Sequence, residues 1–123
     1  MGSLILVIDD NEDILFNLEI TLEANGYQVI SAENGKEAII ILKNIEDFPE
    51  LILCDILMPE MNGYEFYKVV SENSQWKKIP FIFITAYSPA KNEINANRIS
   101  EDDILIKPIK KKELLEKISK KIH

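Results

Sequence analysis

The chain has 123 residues, 46% of them hydrophobic and 28% charged, which suits one compact domain with its own core and excludes a disordered chain. With 14 Lys+Arg against 21 Asp+Glu the formal charge is -7, which argues against whole-surface binding to nucleic acid or anionic lipid and favours attraction of cations. No apolar run approaches the roughly 18 residues of a membrane span, no signal-like segment opens the chain, and the single Cys54 has no partner for a disulfide within it. The expectation is a cytoplasmic protein in which Cys54 is a small core residue.

Leu4 to Ile8 is a short apolar run that ends in Asp9-Asp10-Asn11, the pattern of a strand covered on both faces. Ile14, Leu15, Leu18 and Leu22 then recur at three- and four-residue spacing, which predicts a helix from Glu12 to the stop at Asn25-Gly26, with Asn11 as its N-cap. A second strand is expected over Tyr27 to Ile30. Asn34 with Glu37 three positions later has capping-box spacing, so Ala38 to Asn44 reads as a helix despite its β-branched content. Leu51 to Cys54, bounded by Pro49 and Pro59, is too short for a helix; it reads as a buried strand that delivers Asp55 to its end.

A helix through Tyr64, Phe66, Tyr67, Val69 and Val70 ends near Asn73, its aromatic residues covering the sheet, and Trp76 falls in the loop beyond. Pro80 to Thr85 is a further apolar strand with a polar last residue. Ala90 to Arg98 is weakly amphipathic and Asn-rich, which predicts a short helix. Asp103 to Pro108 closes the strands. Glu113 to Ile122, with Leu114, Leu115, Ile118 and Ile122 on one face, is the last helix, followed by His123 as a frayed terminal residue. Lys110-Lys111-Lys112 with Lys117, Lys120 and Lys121 reads as a solvated helix face or as a local basic patch.

Strands alternating with helices imply a doubly wound α/β domain with a five-stranded parallel sheet, right-handed crossovers and helices on both faces. Every strand then presents its C-terminal end at one rim, where ligands of such folds bind. The polar residues at those ends are Asp9, Asp10, Asp55, Thr85 and Lys107. Unit charges 4 Å apart repel by about 4 kcal/mol at an effective dielectric of 20, so three converging carboxylates need a cation. Mg²⁺, held by one or two carboxylates and retaining waters for phosphate oxygens, suits so small and open a donor set. A lysine and a threonine hydroxyl beside it complement a phosphoryl group, with Asp55 as the nucleophile.

Asp9-Asp10 after the first strand, Asp55 with Met58-Pro59 and Gly63, Thr85-Ala86 and Lys107-Pro108, in that order and spacing, resemble the receiver domain of the response regulators of two-component signalling, the CheY-like family. The resemblance covers essentially the whole chain. It implies sheet order 2-1-3-4-5 and one receiver domain over residues 1–123 with no output domain. It also implies that Asp55 accepts a phosphoryl group from a sensor histidine kinase or histidine phosphotransfer protein. Asp10, Asp55 and the main-chain carbonyl of Leu57 would bind Mg²⁺ with Asp9 assisting through water, Thr85 and Lys107 would contact the phosphoryl group, and the Lys107-Pro108 bond would be cis. The signal would leave by a changed surface around the fourth helix, last strand and last helix, to a protein target and not directly to nucleic acid or membrane.

Several positions depart from that family's pattern. Ile104 stands where an aromatic is common, Ser100-Glu101 where a Gly-Ala pair is common, and Leu57 and Tyr87 are bulky at places that flank the path of a hydrolytic water. The last pair is expected to slow loss of the phosphoryl group, giving a self-phosphorylating and slowly autodephosphorylating signalling domain rather than a dedicated enzyme. Two other readings compete. An Asp-nucleophile phosphatase would place a second Asp where this chain has Leu57. An unphosphorylated receiver-like interaction module would have no use for the intact set Asp10, Asp55, Thr85 and Lys107, and in a flavin-binding domain of the same fold the acidic loop after the first strand would repel the flavin phosphate.

Overall fold

Apolar runs too short to form helices become the strands of one parallel sheet: β1 (Leu4–Ile8), β2 (Gln28–Ala32), β3 (Leu51–Asp55), β4 (Phe81–Thr85) and β5 (Ile104–Ile106). Their spatial order in the computed structural model is β2-β1-β3-β4-β5, the expected doubly wound topology. The structure describes residues 2–122, so the expectation for His123 lies outside the described residues.

The helices are α1 (Glu12–Glu23), α2 (Gly35–Asn44), α3 (Gly63–Glu72), α4 (Lys91–Ala96) and α5 (Lys111–Lys121). Side-chain alternation sorts the strands into two cores. Ile5, Val7, Leu51, Leu53, Ile82, Ile84 and Leu105 pack against Leu15, Leu18 and Leu22 of α1 and Leu114 and Ile118 of α5. Leu6, Ile8, Ile52, Cys54, Phe81 and Phe83 pack against Ala38 and Leu42 of α2 and Phe66 and Val70 of α3. The central strands β3 and β4 are buried at every residue, which is why they read as unbroken apolar runs. Each fully buried Leu or Ile contributes about 1.5–3 kcal/mol. No helix is long and apolar enough to cross a membrane among the described residues.

Element ends depart from expectation for local reasons. The Tyr27 N–H is taken by Leu22 O at the end of α1, so β2 starts at Gln28; pairing of Ser31 with Val7 and Ala32 with Ile8 extends it by two residues beyond Ile30. Glu101–Asp103 form a 3-10 turn whose Asp102 N–H is capped by the Ser100 hydroxyl, leaving β5 only three residues. Asn34 caps α2 by accepting the Glu37 N–H at 2.8 Å. The reciprocal capping box is found at α3, where Asn62 accepts the Glu65 N–H and the Glu65 carboxylate accepts the Asn62 N–H, both at 2.9 Å. Trp76 is buried against the α2/α3 core, and Tyr64 and Tyr67 lie over Phe81 and Phe83 as expected of sheet-covering aromatics.

Candidate functional site

Parallel register builds the site. Ile8 lies level with Cys54, Asp55 with Ile84, and Thr85 with Ile106, so Asp9, Asp55, Thr85 and Lys107 all emerge at the same rim. Alternation then divides them. Asp55 follows Leu51 and Leu53 on the α1/α5 side, where it meets Asp9 and Lys107; Thr85 follows Phe81 and Phe83 on the α2/α3 side.

The Lys107 ammonium lies 3.0 Å from Asp9 Oδ2 and 3.3 Å from Asp55 Oδ2. Asp9 is fully buried, Asp55 is 4% exposed and Asp10 is exposed. Asp9 Oδ1 accepts the Asn11 N–H at 2.9 Å, while Asn11 itself caps α1 by accepting the Ile14 N–H at 3.1 Å. The two acids are therefore not needed as caps. Backbone contacts fix the other two residues: Lys107 N–H donates to Thr85 O at 2.7 Å, and Tyr87 N–H donates to Thr85 Oγ1 at 3.3 Å. The Lys107-Pro108 bond is cis, as expected.

Gly63 answers a close approach: a Cβ there would meet Asp55 O at 2.4 Å and Ile56 Cα at 2.8 Å, and the Gly63 N–H bonds Ile56 O at 2.7 Å. The first turn of α3 is thereby pressed against the end of β3. In the loop between them, Glu60 adopts a left-handed φ of 67°, a conformation that costs a non-glycine residue roughly 1 kcal/mol. Leu57 lies in the same loop and is 59% exposed.

Electrostatics follow from this crowding. Burial, then the Asp9 charge, push the Asp55 carboxyl up to about 6, with Lys107 opposing and Asp10 adding to the rise. Burial alone would lower Lys107, but its bonds and charge pairing with Asp9 and Asp55 outweigh that and raise it. Burial, reinforced by Asp55 and Asp9, pushes the Cys54 thiol well up, which makes it an unreactive core residue.

Asp9, Asp10 and Asp55 each offer a carboxylate oxygen within 4.8 Å of the others. The Lys107 ammonium, 3.0 Å away, is the one cation paired with buried Asp9 Oδ2 among the described residues, and a single positive charge faces three carboxylates. Three converging hard oxygen donors, offset by only one ammonium, fit a hard divalent cation, so the cluster could hold a metal.

One constellation had no counterpart in the sequence reading. Tyr64 of α3 and Tyr87 of the β4–α4 loop both donate their hydroxyls to Glu93 Oε2 on α4. Tyr64 and Glu93 are 29 residues apart, and no local spacing signals that contact.

A doubly wound sheet with a charged pocket at its carboxyl rim defines a domain class that binds ligands where the strands end. Comparison with known proteins narrows it. Residues 5–119 match the family model described as the response regulator receiver domain. The chain is 37% identical over 110 residues to the probable transcriptional regulator ycf27 of Porphyra purpurea, covering 89% of this chain and 43% of that protein. It is 36% identical over 115 residues to the response regulator SaeR of Staphylococcus aureus, covering 94% and 48% respectively. Its structure is similar to that of the chemotaxis protein CheY4 of Vibrio cholerae, with a TM-score of 0.87 at 29% identity over 99% of this chain and all of that one. The chain belongs to the response regulator receiver domain family. It is a receiver domain of two-component signalling whose acidic cluster is compatible with a phosphoacceptor site. It spans less than half the length of the two sequence relatives named.

Proposed function

We propose that the domain takes a phosphoryl group from a phosphohistidine, on a sensor histidine kinase or a histidine phosphotransfer protein, onto Asp55 with Mg²⁺. The observation that carries this reading is the Lys107 ammonium held 3.0 and 3.3 Å from Asp9 and Asp55, beside three carboxylates that converge within 4.8 Å. Asp10, Asp55 and the main-chain carbonyl of Leu57 would hold the ion, with Asp9 reached through water. Mg²⁺ there would neutralise charge on the phosphoryl oxygens.

In the transfer, an Asp55 carboxylate oxygen attacks phosphorus and the P–N bond breaks. Its electron pair remains on the imidazole nitrogen, and the ring leaves as neutral imidazole because its other nitrogen already carries a proton in the protonated phosphohistidine. With a carboxyl value of about 6, Asp55 is mostly ionised at neutral pH and available as the nucleophile. Lys107 exchanges its carboxylate partners for a phosphoryl oxygen, and the Thr85 hydroxyl donates to another. The changed surface around α4, β5 and α5 is then read by a protein partner. The cytoplasm, whose reducing conditions suit the lone Cys54 thiol, is the setting this reading gives it.

Intact-mass analysis after incubation with Mg²⁺ and a small acyl phosphate tests the reading. Wild type should gain one phosphoryl group and Asp55→Asn none; an unmodified wild type rejects it. Leu57 and Tyr87 flank the phosphoryl group and slow its hydrolysis. Leu57→Asn should shorten the lifetime of the phosphorylated form severalfold, and an unchanged lifetime removes that role.

A further inference from the structure

The pair of tyrosines on Glu93 ties together two parts of the molecule that the chemistry treats separately. Tyr64 sits directly after Gly63, whose N–H is bonded to Ile56 O just beyond Asp55. Its ring lies 5.7 Å from that of Phe83, two residues before Thr85. Tyr87 follows Thr85 by two residues, and its N–H is the donor on Thr85 Oγ1. Both hydroxyls end on Glu93 Oε2, the Tyr87 bond at 2.5 Å. Both phenols donate to the same carboxylate oxygen, and the Tyr64 bond, then the Tyr87 bond, hold Glu93 below its ordinary value, which favours its ionised form.

The element carrying Glu93 has little else to hold it. α4 has six residues, its N-cap Ala90 makes no side-chain bond, and Ile94 is its one buried residue. A helix that short has no stability of its own. Its position depends on tertiary contacts, and the two phenol bonds are its polar link to α3 and to the strand-end loop. Ile104, the hydrophobic residue packed nearby on β5, offers no polar group to replace them.

We propose that Tyr64, Tyr87 and Glu93 form a latch that holds α4 against α3 while Asp55 is unmodified, and releases it when the Thr85 hydroxyl turns to the phosphoryl group. This rests on the phosphoacceptor reading of Asp55. The Tyr87 N–H bond to Thr85 Oγ1, at 3.3 Å, is already long. A hydroxyl drawn toward a phosphoryl oxygen gives it up, the β4–α4 loop moves, and the Tyr87 phenol is carried off Glu93. α4 then keeps only Tyr64 and changes its position or order, which gives the domain two states with different outer surfaces.

Hydrogen exchange across residues 91–96, measured on samples whose intact mass is recorded in parallel, reads this directly. Phosphorylation of wild type should accelerate α4 exchange by about ten-fold, the range of local opening equilibria. Tyr87→Phe and Glu93→Ala should show that acceleration before modification and gain less than about two-fold more when phosphorylated. Tyr67→Phe, which packs on the same aromatic floor without touching Glu93, should behave as wild type. Equal exchange in unmodified wild type, Tyr87→Phe and Glu93→Ala overturns the latch, as does an equal response to phosphorylation. A wild type that gains no phosphoryl mass overturns both the latch and the reading beneath it; a full mass gain with an unresponsive α4 overturns the latch alone.

Discussion

The two sides of the sheet's rim are held by different means. On the side covered by α1 and α5, the Lys107 ammonium lies within 3.3 Å of both Asp9 and Asp55, and all three are fixed by the strands themselves. On the other side, Thr85 leads through a single long hydrogen bond to a loop and to a six-residue helix gripped at one carboxylate. The first arrangement suits chemistry, which needs charges already in place when charge develops. The second suits a message, since only an element near balance can be moved by one new contact.

Removing the cation from the rigid side should have the largest effect. Lys107→Ala leaves two buried carboxylates facing each other, and breaking a buried charge pair from one side costs about 3 kcal/mol or more. Urea unfolding of the metal-free variant at neutral pH should show a loss of that size. The phosphorylation rate should fall with it, while α4 exchange in the unmodified state stays as in wild type. Next comes Gly63→Ala, whose Cβ would press on backbone atoms of Asp55 and Ile56. Overpacking of this kind costs about 1–3 kcal/mol. Because α3 carries Tyr64, this variant should disturb both sides of the rim, lowering midpoint stability and loosening α4 together.

The smallest effect concerns charge alone. The Asp55 carboxyl stands at about 6 in the folded protein against an ordinary 3.8, so folding disfavours its ionised form. The stability it contributes is complete below the ordinary value and is lost as pH rises through about 6. In chelator, Asp55→Asn should therefore be more stable than wild type by about 1–2 kcal/mol at neutral to mildly alkaline pH and equal to it in strong acid. Added Mg²⁺ should stabilise wild type and leave Asp55→Asn nearly unchanged.

The rigid side was legible in the sequence because it is built from local signals. Each strand is an apolar run, each ends on a polar residue, and a parallel sheet needs no further information to bring Asp9, Asp55 and Lys107 to one rim. Thr85 was legible for the same reason, although its opposite facing follows only from which core Phe81 and Phe83 enter. Element ends were less so: a competing bond from Tyr27 to α1 shifted β2, and a Ser100-capped turn shortened β5. The α3 capping box is written locally as Asn62 with Glu65 three residues on, the same spacing as Asn34 and Glu37 before α2. The Tyr64–Glu93–Tyr87 contact was not legible, since it joins three elements through side chains whose sequence neighbours carry no shared period.

The central claim is that the acid at the end of β3, and not its neighbours at the end of β1, carries the phosphoryl group. Reductive trapping of the phosphorylated protein with borohydride, which converts an aspartyl phosphate to homoserine, followed by peptide sequencing, locates it. The account predicts homoserine at position 55 and intact Asp9 and Asp10; homoserine at either of those, or a phosphoryl group that survives on a hydroxyl side chain, would contradict it.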